Sequence, residues 1–446
     1  MSEQGTEHSL DSFDAAERNA ALVAQVQAGG GSAVETSNVN MHMHSFFSYN
    51  AEGWSPTHLA WAAHQAGFCA GGLCDFDVLD GLEEYLAAGR TVGLRTAVHM
   101  ETRATFSEYA DVDISSPGEP GVTYIMGGGF ARVPEAGSPQ ESQLAAFRDG
   151  ARARNEALIA RLNQKVPDIA LDYAGQVLPL TPSGNATERH IISAYVDRAH
   201  AVFEDPERLM AFLSELLEKD VSAVQTLLAD RPSLEEAMRS RLAKRGGLGY
   251  VQPSVDAFPP VETFLSWVAG CDAIPMITWL DGSSGGESNP REMCEHLCAK
   301  GAGALNIVPD RNWNIADPDA RAEKIGNLKA IVDVAVDMGL PVNIGTEMNK
   351  LGLPFVDDLD GSVLSEFKET FLSGARIMVG HTLLARYAAF PYMGSAAAAE
   401  FSGVAERNRC FESVGALAAL SNDQADLLEE MGPERALSWF RDRISV

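Results

Sequence analysis

The chain has 446 residues, 46% of them hydrophobic and 22% charged, with 62 acidic against 34 basic side chains and a formal charge of −28. This is the composition of a globular protein large enough to bury a substantial core. So negative a surface repels nucleic-acid phosphates and anionic membranes, and no apolar run reaches the ~18–20 residues that span a bilayer. The polar, acidic stretch Ser2 to Glu17 lacks the basic and apolar regions of a secretory signal, and the six cysteines form no C-x-x-C pair. A cytoplasmic protein with reduced thiols, acting on a small molecule and not on nucleic acid or membrane, is therefore expected.

Residues 1–36 read as a lead-in with one short helix, about Asp14–Gln27, stopped at Gly29-Gly30-Gly31-Ser32. The first strand is expected over Val39–His44, with Ser55-Pro56 opening a helix as N-cap and first-turn proline, and Gly67 closing it. Phe68–Cys74 reads as a strand, Leu79–Ala88 as a helix and Leu94–Thr105 as a strand. Such alternation predicts parallel pairing with right-handed crossovers. From about 107 to 185 the pattern breaks into a Gly/Pro-rich loop and a helix at about 140–164, and 188–245 is strongly helical. Alternation resumes with strands at Ile274–Leu280, Ala304–Val308, Leu340–Gly345 and Arg376–Gly380, and helices at Pro290–Lys300, Asp317–Met338 and about 362–373. The expected architecture is α/β: a distorted (β/α)7 TIM-like barrel with a mostly helical insertion and a helical tail. The segments are a barrel over 37–106 and 271–393, an insertion over 107–270 that caps it and lends a lining segment near 188–192, and a tail over 394–446.

Ionisable residues recur immediately after the expected strands: His42 and His44, Asp75 and Asp77, Glu101, Asp281, Asp310 and Arg311, Glu347 with Asn349, and His381. In a β/α barrel these strand ends meet on one face, where active sites are built. Each residue alone is also an ordinary turn residue. Side chains two apart on a strand share a face, so His42-x-His44 offers half of a metal site, and His99 shares the face of Glu101.

The order His42-x-His44, Ser55-Pro56, Gly67, Cys74-Asp75-Phe76-Asp77, Gly81 and Glu101 resembles the PHP (polymerase and histidinol phosphatase) family. Glu188-Arg189-His190-Ile191 resembles that family's later R-x-H segment, and Gly345-Thr346-Glu347-Met348-Asn349 stands where the family has G-S-D-x-H. The resemblance implies a distorted seven-stranded barrel binding two or three divalent metals, often a phosphomonoesterase. It implies that His42, His44, Glu101 and Glu347 hold one ion and that His190 joins Glu101 on a second. The histidines of the third ion are replaced by Asn50, Phe76 and Asn349, so one or two ions are expected, with Zn²⁺, Mn²⁺ and Fe²⁺ all compatible with the mixed N/O donors. His99 is a further ligand or a packed histidine, and His381 a ligand, a general acid or a structural residue.

In such a site water is activated on the ion, its pKa falling from about 15.7 toward about 7, while arginine binds phosphate oxygens. Arg311 and then Arg103 are the candidates for that contact, both also able to pair with carboxylates. Asp281 and Asp310 are candidates for holding the ligating histidines or moving protons. Three readings follow: a phosphoesterase, an amidohydrolase-like or sugar-acting metal hydrolase or isomerase, and a barrel that has lost catalysis and binds a ligand.

Overall fold

The structure, a computed structural model, describes residues 9–29, 34–254 and 256–444. Gly30, Gly31 and Ser32 of the expected first stop lie outside them. The chain divides into two compact units, one formed by Ala145–Ala257 with Phe47–Tyr49 and the other by the remaining residues.

The larger unit is a seven-stranded sheet in sequential order: β1 (Val39–Met43), β2 (Ala70–Phe76), β3 (Thr96–Thr105), β4 (Val122–Gly128), β5 (Ile274–Trp279), β6 (Ala304–Ile307) and β7 (Val342–Ile344). β1, β2 and β3 pair in parallel, as do β5, β6 and β7, while β4 runs antiparallel to both neighbours. A parallel bridge from Met43 to Glu347 brings the two edges together. There the Glu347 amide donates to the His42 carbonyl at 2.8 Å and the His44 amide to the Glu347 carbonyl at 3.0 Å. The result is a nearly closed, distorted TIM-like barrel whose buried residues include Met126 and Met276 on the inner face.

Local chemistry accounts for the parallel strands and their crossovers. The Ser55 side chain accepts from the His58 amide, Pro56 occupies the first turn, and Gly67 turns the chain at φ 70° before β2. Helix Pro318–Met338 starts at an Asp317 cap and ends on left-handed Gly339 at φ 68°.

Two expectations are corrected. The Gly/Pro-rich stretch after residue 107 contains β4, whose Gly127 and Gly128 suggest a loop. They lie in the strand because Phe130 and Val268 crowd the first, and His99 and Met276 the second. The second correction concerns Arg376–Gly380, which is not a strand but part of a long helix, Lys368–Ala388. Its residues Ile377, Met378 and Val379 are all buried, so the helix has no polar stripe there and a short window cannot distinguish it from a buried strand. His381 consequently sits inside a helix, and β4 supplies the seventh strand.

In the smaller unit, helices Glu188–Val202, Pro206–Leu217, Val221–Leu228 and Arg231–Leu242 bury Ile191, Tyr195, Leu213, Met238 and Leu242 in one core. The expected insertion, 107–270, is wider than this unit, since β4 and helix Val261–Gly270 belong to the barrel unit. No helix among the described residues is long and apolar enough to cross a membrane.

Candidate metal centre

β1 carries His42 and leads directly into His44, and β3 carries Glu101. Their donor atoms lie within 4.8 Å of one another, the one such group of three or more among the described residues. All three side chains are buried. His44 Nε2 is 3.1 Å from Glu101 Oε1, and His42 Nε2 is 3.6 Å from Glu101 Oε2. His42 Nε2 has no hydrogen-bond partner, a costly state for a buried polar atom and one that a cation would relieve. Burial pushes the Glu101 carboxyl up, but the two imidazoles outweigh it and hold the group below the usual carboxylate range. Burial lowers His44, and Glu101 more than reverses this, leaving it raised. Two imidazoles converging on an ionised carboxylate in a dry setting form a donor set that fits a divalent transition ion.

The surrounding loop is built to hold these donors. Asp75 accepts from the Ser45 amide at 2.8 Å and the Ser45 hydroxyl at 2.7 Å, pinning the residue after His44. Asn50 donates to the His44 carbonyl at 2.8 Å and accepts from the Glu52 and Trp54 amides, so its side chain is consumed in closing the loop. Phe76, opposite Glu101 on β2, packs edge-on against Tyr124.

Glu347 reaches this rim through its backbone, in a left-handed conformation at φ 64°. Its carboxylate turns to Arg311, 2.7 Å away, and accepts from the Asn349 amide at 3.3 Å. Burial raises that carboxyl, but Arg311 and then His42 bring it below the ordinary value. Glu347 thus lies beside the three donors without joining them.

The remaining sequence candidates are placed elsewhere. His99 Nδ1 accepts from the Gly129 amide at 3.3 Å, and burial lowers it to about 3. His381 Nδ1 accepts from the Tyr392 amide at 3.0 Å, and burial likewise lowers it to about 3. In both rings a backbone amide takes Nδ1, and neither ring belongs to the three-donor group. His190 belongs to the smaller unit, where Thr187 donates to its Nδ1 at 3.1 Å and Tyr49 packs edge-on against it. Arg103 pairs with Glu119 at 2.9 Å and lies over the Phe258 ring. Asp281 is bonded to Lys324 at 2.6 Å and to Ser283.

Asp310 opens a four-residue helix, Asp310–Trp313, and accepts from Asn314 at 2.9 Å. Neither aspartate bonds to His42 or His44; the group facing His42 Nδ1 is Asn306, 3.3 Å away on β6. A polar asparagine inside the apolar runs of β6 and β7, Asn306 and Asn343, was the available signal for this network.

Asp310 also acts on Asp357, whose buried carboxyl has no hydrogen-bond partner. Trp313 and the Asp310 backbone approach it without reaching hydrogen-bond geometry. Burial, then Asp310, pushes it up to about 8. Between the unfolded value of about 3.9 and this folded value the native state holds the extra proton, so stability falls as pH rises through that window. Asp357→Asn is expected to stabilise the protein by about 2–4 kcal/mol at pH 7 and by little at pH 4, measured by urea unfolding at both values. An equal effect at the two pH values would refute the raised carboxyl.

No protein-family model matches the chain, and no curated protein matches it either. Among solved structures it is similar to a presumed metal-dependent phosphoesterase from Bifidobacterium adolescentis, at 18% identity and TM-score 0.46 over 75% of this chain and 96% of the other. It is also similar to an amidohydrolase from Chromobacterium violaceum with bound sulfate and no metal, at 18% identity and TM-score 0.48 over 74% of this chain and 96% of the other.

Proposed function

We propose that this chain is a metal-dependent hydrolase that cleaves phosphate esters of small molecules. The observation that carries the reading is the buried convergence of His42, His44 and Glu101, with the Nε2 of His42 unpartnered. These three residues would hold the ion, and Glu347 stands next to them with its carboxylate paired to Arg311. A divalent ion bound there supplies Lewis-acid polarisation and lowers the pKa of a water molecule from about 15.7 toward about 7.

The protein's own groups supply orientation and charge. Arg311 is partly exposed, and one guanidinium nitrogen is committed to Glu347. Its planar fork suits phosphate oxygens. This feature favours phosphate esters over uncharged amides or lactones.

Elemental analysis of the native protein, combined with a hydrolysis screen after Mn²⁺ or Zn²⁺ addition, tests the reading. About one ion per chain and turnover of phosphomonoesters are expected. Metal below about 0.3 per chain with no phosphatase activity would overturn it. Turnover of lactones or amides without turnover of phosphate esters would select amidohydrolase-like chemistry instead.

A further inference from the structure

A run of amide and carbonyl contacts passes beneath the candidate metal centre. The Met41 carbonyl on β1 accepts from Asn343 Nδ2 of β7 at 3.2 Å, and the same nitrogen donates to Asn306 Oδ1 of β6 at 2.9 Å. Asn306 then presents its Nδ2 to His42 Nδ1 at 3.3 Å. Asn306, Asn343 and His42 are all buried. A backbone carbonyl only accepts, so it dictates which end of the Asn343 amide faces it. Asn343 in turn orients Asn306, and Asn306 leaves His42 Nδ1 as an acceptor. A neutral His42 therefore carries its proton on Nε2, the nitrogen that faces Glu101. A ligating imidazole needs the opposite arrangement, with the lone pair at Nε2 and an Nδ1–H donated to an oxygen.

We infer that Asn306 is the positioning residue of His42, and that Asn306 and Asn343 form a two-position amide relay setting how tightly the site takes a divalent cation. The inference rests on the reading of His42 as a metal ligand through Nε2. In the position seen here the relay ends at an Nε2–H. In the other position both amides are turned over, Asn306 Oδ1 accepts from Nδ1–H, and Asn343 Oδ1 accepts from Asn306. His42 loses the proton at Nε2 and gains one at Nδ1, so no net proton is exchanged. The turned Asn343 gives up its bond to the Met41 carbonyl and places an oxygen against it. In exchange, its nitrogen enters the place of Asn343 Oδ1, which has no partner in the present position. Cation affinity is thus reduced by the backbone hydrogen bond that loading breaks.

The test uses the full chain stripped of metal, as the unsubstituted protein, Asn343→Ala and Asn306→Asp. Zn²⁺ and Mn²⁺ affinities are measured by competition titration, and the His42 tautomer by ¹⁵N NMR. The metal-free unsubstituted protein should show Nε2–H at His42. Asn343→Ala should bind roughly three- to tenfold tighter, the equivalent of the one hydrogen bond no longer given up. Asn306→Asp should also bind tighter, because a carboxylate accepts from Nδ1–H in place. A purely structural role for the two asparagines predicts weaker binding in both variants. An Nδ1–H tautomer in the metal-free protein, or an Asn343→Ala protein that binds metal no tighter than the parent, overturns the relay. No uptake by any of the three proteins overturns the metal reading itself, which is a separate outcome.

Discussion

Glu101→Gln is expected to lower divalent-cation affinity by about 100-fold or more and to remove hydrolysis that depends on the ion, roughly a 10³-fold loss. The substitution keeps the shape of the side chain and removes its charge. Glu101 is the centre of the donor group, since both imidazoles converge on its carboxylate. An amide there leaves two buried imidazoles with nothing to balance a cation. The effect on His44 provides an independent readout. Its raised protonation depends on Glu101, with Asp75 and Glu347 contributing less, and burial alone would lower it. In metal-free Glu101→Gln protein, the pH at which His44 takes up its proton should therefore fall, as followed by NMR. A raised histidine contributes stability that is present below pH about 6.5 and lost as pH rises through its folded value, and Glu101→Gln should remove that contribution. Unchanged metal content together with an unchanged His44 titration would refute the assignment.

The second large effect concerns the helix that replaces the expected last strand. Gly380→Ala is expected to destabilise the protein by about 3 kcal/mol or more, measured by urea unfolding. Helix Lys368–Ala388 meets helix Val404–Gly415 backbone to backbone. A Cβ at Gly380 would overlap the Phe411 carbonyl oxygen, and one at Gly415 would overlap the Arg376 carbonyl oxygen. The same helix also touches β7, where a Cβ at Gly374 would overlap the Val342 carbonyl oxygen. Backbone atoms cannot turn aside as a flexible side chain can, so both helices would have to part. Gly326, in helix Pro318–Met338, has open space around it. Gly326→Ala is the control, expected to stabilise by about 0.5–1 kcal/mol through helix propensity alone. A Gly380→Ala protein within about 1 kcal/mol of the parent would mean that the interface tolerates separation.

The candidate site was legible in sequence to the extent that residue type and short spacing decide it. His42-x-His44 and Glu101 are local features: ligating side chains at strand ends, in an order that a barrel brings to one face. The Ser55-Pro56 cap and the Gly339 stop are equally local, because capping satisfies nearby backbone groups. β4 was hidden by its glycines, which mark a loop until His99, Phe130 and Met276 are seen to need the space. His99 and His381 had the chemistry of ligands, but each Nδ1 is taken by a backbone amide from a distant segment, Gly129 for one and Tyr392 for the other.

What the sequence by itself determined is the supply of donors and the alternation of strand and helix that carries them, since both depend on residues within a few positions of one another. The tertiary structure decided which donors meet. Met43 and Glu347 lie in sequence regions some three hundred residues apart, and only barrel closure sets the Glu347 backbone between His42 and His44 while aiming its carboxylate at Arg311. It also decided what surrounds His42: two asparagines on β6 and β7 and a carbonyl on β1 meet beside its Nδ1, contacts whose register is settled only when the strands pair.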